Sequence, residues 1–141
     1  MAPGLQSRPG VFSFLEDRVT YLAISIGAVL GANARYMVGG WVADRLGAAF
    51  PYGTLIINVS GSFLIGIVLT VATERAMTPS WFQPAVAIGF LGAYTTFSTF
   101  SYETLNLINA GSFMAAGLNI GASVCGGLAG VYLGTVVARL V

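Results

Sequence analysis

Four stretches of this chain are long and apolar enough to cross a lipid bilayer, and they constrain its fold more than any other feature. A spanning helix needs about 20 mostly apolar residues, each rising 1.5 Å, to traverse about 30 Å of hydrocarbon. The stretches from Val19 to Val38, Thr54 to Thr73, Trp81 to Asn106 and Phe113 to Leu140 meet that need. Connectors rich in breakers separate them: Asp44, Arg45, Gly47 and Pro51, then Glu74, Arg75, Thr78 and Pro79, then Ala110, Gly111 and Ser112. The charge count points the same way. Six arginines and five acidic residues, 8% of the 141 residues, cannot coat a soluble globule, because ordinary domains carry roughly a quarter charged residues. The expected fold class is an all-α integral membrane protein with four transmembrane helices over residues 19–141.

Residues 1–18 read as an N-terminal extension. Pro3, Gly4, Pro9 and Gly10 precede a short apolar patch, Val11, Phe12, Phe14 and Leu15, that Glu16, Asp17 and Arg18 interrupt. The patch is too short for a signal core and is expected to be an amphipathic lead-in at the membrane surface.

The absent residue types exclude much chemistry. With no His and one Cys, Cys125, inside an apolar run, there is no zinc set, no internal disulfide and no imidazole base for a nucleophile. An enzyme is not expected. A net charge of +1 without a basic cluster gives no footprint for nucleic acid. The arginines divide unevenly but mildly, Arg8, Arg18, Arg75 and Arg139 on one side against Arg45 and Arg35 on the other, which leaves insertion in both directions open.

Polar groups at membrane depth are costly and therefore informative. Thr54, Asn58, Ser62 and Gly66 recur every four residues and share one helical face. Asn119, Ser123 and Gly127 repeat the pattern in the fourth stretch. Neutral hydroxyls and amides offer donors to a small ion that must bind and also leave; they also serve as bonds between helices, worth on average about 0.6 kcal/mol each. Asn58, whose amide is the harder to satisfy, is assigned to the pathway.

The third stretch reads Gly89-Phe-Leu-Gly-Ala-Tyr-Thr-Thr-Phe-Ser-Thr-Phe-Ser-Tyr-Glu103. Gly92 and the β-branched Thr95 and Thr96 weaken a uniform helix here. A broken helix buried in protein can present free carbonyls to a hard cation. Phe97 and Phe100 lie three apart on one face. Their ring edges suit an anion and their faces a cation. Arg35 either snorkels to the interface or makes a positive vestibule. Glu103 would repel an anion unless hydrogen-bonded, protonated or outside the narrowest part.

Small-xxx-small spacings at Gly27/Gly31, Ser62/Gly66, Gly117/Gly121 and Gly126/Gly130/Gly134 allow close backbone approach, within the chain or between copies.

The motifs GANARY (31–36), YGTLIINVSGSFLIG (52–66) and GFLGAYTTFSTFSYE (89–103), spread over four short apolar spans, resemble the Fluc/CrcB family of bacterial fluoride channels. That resemblance implies an antiparallel dual-topology homodimer in the bacterial inner membrane that passes fluoride passively through two pores. It places the pore asparagine at Asn58 and the pore phenylalanines at Phe97 and Phe100. The hydroxyl track falls on Thr99, Ser101 and Ser123, a pore glutamate on Glu103 and the first-helix arginine on Arg35. It also implies a structural sodium held at the dimer centre by the backbone carbonyls of Gly92 and Thr95. The alternative, a dual-topology small multidrug or cation transporter, needs a carboxylate within the first span, and residues 19–38 contain none. A second alternative, an assembly subunit whose polar stripes merely bind neighbouring helices, predicts no transport.

Overall fold

The apolar stretches fold as helices because straight-chain and small residues dominate them and the connectors end them. The computed structural model describes the backbone of residues 11–74 and 78–140 and the side chains from Asp17 onward within those ranges. The helices are α1 (Val11–Leu46), α2 (Tyr52–Glu74), a π-wound segment (Pro84–Leu91), the single turn α3 (Gly92–Tyr94), α4 (Phe97–Asn109) and α5 (Phe113–Leu140). No strand occurs among the described residues.

Three of these helices have the length and composition of a membrane span: Asp17–Leu46, Tyr52–Glu74 and Phe113–Leu140. The first exceeds its expected range at both ends. Val11–Arg18, the anticipated surface lead-in, is continuous with α1, and Asp44 and Arg45, assigned to the connector, still wind as helix. Helix α1 stops only at Gly47, whose φ of +77° is a conformation open to glycine and whose N–H bonds Ala43 O at 2.9 Å. Arg45 lies over the Trp41 ring, 4.4 Å from its centroid. Residues 1–10 and Arg75 lie outside the described residues.

The stretch from Trp81 to Asn106 is not one helix of spanning length. Thr95 (φ −75°, ψ 156°) and Thr96 (φ −151°, ψ 111°) are extended and separate α3 from α4. Helix α4 ends in a Schellman motif at Gly111 (φ +73°), with Ser112 N bonded to Leu107 O and Gly111 N to Ile108 O, both at 2.9 Å.

Two tight helix pairs organise the described residues. Helix α1 packs on the π-wound segment, where a Cβ on Gly27 would overlap Ala85 O and one on Gly31 would overlap Phe90 O. Helices α2 and α5 run side by side in the same direction. Gly66 meets the Val131 carbonyl, Gly130 the Val59 carbonyl and Gly134 the Phe63 carbonyl. An exposed ion pair, Arg139 Nη2 to Glu74 Oε1 at 2.9 Å, closes their shared end. Most of the small-residue spacings therefore serve packing within the chain. Gly117 and Gly121 differ, having open space where a Cβ would stand.

Candidate functional site

The extended pair Thr95–Thr96 exists because a side chain from α2 competes for its backbone. Asn58 Oδ1 accepts from Thr96 N at 2.8 Å, and Asn58 Nδ2 donates to Thr96 O at 3.1 Å. The carboxamide thus pairs with both the N–H and the C=O of one residue, as a neighbouring strand would. Thr96 is also the N-cap of α4: its Oγ1 accepts from Thr99 N at 3.3 Å. Two residues along α2, Ser60 Oγ lies 3.0 Å from the Tyr94 hydroxyl, so both sides of the interruption are tied to α2. Gly61 leaves room for Thr95, whose Cγ2 occupies the place a Cβ would take.

A groove of about 310 Å³ runs beside this point, lined by Asn58, Gly61, Ser62, Ile65, Thr95, Thr96, Phe97, Phe100, Ser123 and Val124. The Phe97 and Phe100 ring centroids are 5.6 Å apart with planes tilted by 45°. Phe97 is 79% exposed in the single chain. Across the groove, the Ser123 Oγ is out of contact with solvent and has no hydrogen-bond partner among the described residues. An Asn amide carries a second N–H beyond the one Asn58 gives to Thr96, and the first turn of a helix leaves N–H groups free at its positive end. The groove therefore brings amide and hydroxyl side chains together with two aromatic rings, and none of its lining residues is charged.

A larger cavity of about 840 Å³ is lined by α1, the loop after it, α2 and α4; Thr96 borders both spaces. Arg35, Tyr36, Thr54, Thr99 and Glu103 line this second space. Glu103 Oε1 accepts from Thr54 Oγ1 at 3.0 Å, while its Oε2 is buried and has no partner among the described residues. The expected site residues thus fall into two groups: Asn58, Phe97, Phe100 and Ser123 at the groove, and Arg35, Thr99 and Glu103 at the larger cavity. Ser101 lines neither; it is exposed and bonds back to Phe97 O at 2.9 Å.

The family described as "CrcB-like protein, Camphor Resistance (CrcB)" matches residues 22–135, most of the chain and every residue of both cavities. The chain belongs to the CrcB-like family. Among its CrcB-like relatives, a Roseiflexus protein (strain RS-1) named "Fluoride-specific ion channel FluC" is 51% identical over 119 residues, 84% of this chain and 96% of that protein. A protein of the same name from Acidobacterium capsulatum is 50% identical over 120 residues, covering 84% and 95% of the two chains. A third, from Geobacter metallireducens, is 46% identical over 121 residues, covering 86% and 98%.

Within this CrcB-like chain, two roles were not anticipated. Thr96 is the hub of the interruption, bonded through its N–H, its carbonyl and its hydroxyl. A Thr immediately before a helical run is an N-cap signal that could have revealed it. Asn119 is fully buried and donates to Thr104 Oγ1 at 2.8 Å, so it joins α4 to α5 instead of lining the groove. Thr104→Val removes that acceptor and leaves the buried amide unpaired, which should cost about 1–3 kcal/mol. A lowered thermal unfolding midpoint is the expected result.

Proposed function

We propose that the chain is a passive fluoride channel, lowering cytoplasmic fluoride by letting the ion leave across the bacterial inner membrane. The observation that carries this reading is the groove that brings Asn58, the Phe97/Phe100 pair and Ser123 together, the Ser123 hydroxyl having no hydrogen-bond partner among the described residues. Fluoride is small and holds its water tightly. Passage requires close replacement of that water by oriented donors, and a neutral site allows the ion to leave again. The Asn58 amide, the Ser123 hydroxyl, the edges of the two rings and the positive N-terminus of α4 supply such a set. The names of the relatives, channels and not enzymes, support the same conclusion.

In this reading the π-wound segment, α3 and α4 together form the third of four crossings, with Thr95–Thr96 as its break. A groove open along one side, with Phe97 largely uncovered, is completed by a second copy of the chain. The arginine bias, four against two, is mild enough to allow two copies inserted in opposite directions.

A structural sodium fits the residues present. The carbonyls of Gly92 and Thr95 are neutral hard oxygens beside an interrupted helical ladder, the donor type that hard cations prefer. Hard cations collect about six oxygens. Two carbonyls from each of two chains, together with water, approach that number, so the ion would sit where the copies meet and tie them together.

Arg35 in the larger cavity raises the local concentration of anions. Arg35→Gln is expected to slow fluoride efflux at low ionic strength and to matter less as salt screens the charge. An equal rate at both ionic strengths would remove that role.

The direct test is efflux from liposomes containing only this protein. Rapid fluoride loss without a proton or sodium gradient, and no comparable chloride loss, is the expected result. Release that requires a gradient would indicate a coupled transporter instead.

A further inference from the structure

A sodium bound as proposed depends on two carbonyls, and the hydrogen bonding identifies what releases them. In an uninterrupted helix the N–H of Thr96 would close on the carbonyl of Gly92, and the N–H of Thr99 on that of Thr95, four residues back in each case. The last regular bond before the interruption is Thr95 N to Leu91 O at 3.0 Å. Beyond it both N–H groups are diverted: Thr96 N donates to Asn58 Oδ1 at 2.8 Å, and Thr99 N donates to Thr96 Oγ1 at 3.3 Å.

We infer that Asn58 and the Thr96 hydroxyl are positioning residues for the cation, each freeing one of its carbonyl ligands by intercepting the N–H that would otherwise occupy it. The inference rests on the sodium reading above. Its physical basis is that an N–H at membrane depth does not stay unpaired. Without the Asn58 carboxamide, the Thr96 N–H turns back to Gly92 O. Without the Thr96 hydroxyl, the Thr99 N–H turns back to Thr95 O. In each case the donor set loses an oxygen. Asn58 also lines the anion groove, so one side chain serves both ions, and its loss should disturb cation binding as well as fluoride flow. Ser123 borders the same groove but makes no bond to the interruption, which makes it the discriminating control.

The test is thermal unfolding of the purified full-length chain in detergent, titrated with sodium chloride against N-methyl-D-glucamine chloride at fixed ionic strength. Fluoride efflux is measured alongside. The unaltered protein should be stabilised by sodium. Asn58→Ala and Thr96→Val should each need about tenfold or more sodium for the same half-rise, the usual effect of removing a group that orients metal ligands. Ser123→Ala should titrate like the unaltered chain even where its fluoride efflux falls. Either positioning variant suffices if the other fails to fold. Unaltered sodium titration in Asn58→Ala or Thr96→Val would overturn the inference, as would an equal loss in Ser123→Ala. An unaltered protein that moves fluoride but does not respond to sodium would overturn the cation reading and the inference with it, and leave the channel standing.

Discussion

Replacing Phe97 or Phe100 by Ile should reduce fluoride efflux about two- to tenfold while the protein still folds and elutes as the unaltered chain does. Ile keeps an apolar side chain but lacks the positive ring edge, which is the feature that can take the place of water around a small anion. Each 1.4 kcal/mol lost from the ion's coordination in the groove is about a tenfold change. Aromatic edge interactions are worth about 0.5–1.5 kcal/mol. Phe97 is mostly uncovered, so its replacement disturbs little packing within the chain. Unchanged efflux in both variants would remove the rings from the coordination of the ion.

The second large effect concerns folding. Gly134→Val and Gly31→Val should each leave little folded protein, judged by recovery as a monodisperse species in detergent. A Cβ at Gly134 would overlap the Phe63 carbonyl and one at Gly31 the Phe90 carbonyl, and backbone atoms cannot turn aside as a side chain can. Overpacking in a close-packed interior costs about 1–3 kcal/mol. In a bilayer the loss is felt fully, because helices associate there through packing and not through expulsion of water. Gly117→Ala, with open space around the added methyl, should be recovered normally. Normal recovery of Gly134→Val would mean that α2 and α5 do not approach as closely as described.

Much of this arrangement was legible in the sequence, and the exceptions share a cause. Apolar length and breaker residues located three spanning helices, because those are local properties. The end of α1 was not local in the same way: Gly39 and Gly40 lower the apolar signal, yet the helix continues through Asp44 and Arg45 until Gly47 permits a left-handed turn. The weakness of a uniform helix around Thr95 and Thr96 could be read from residue type, but its position and form depend on Asn58, nearly forty residues earlier in the chain. The periodic stripe Asn119, Ser123, Gly127 carries no mark that separates its members. Asn119 faces Thr104 and Ser123 faces the groove because of what α4 presents opposite each.

The most direct test of fluoride passing alone through this groove is electrical. In a planar bilayer holding the purified protein, with a fluoride gradient and equal chloride on both sides, the current should reverse at the fluoride equilibrium potential and stay there when pH or sodium is made unequal. Reversal near zero, or a shift that follows the proton or sodium gradient, would contradict a passive fluoride-selective pore.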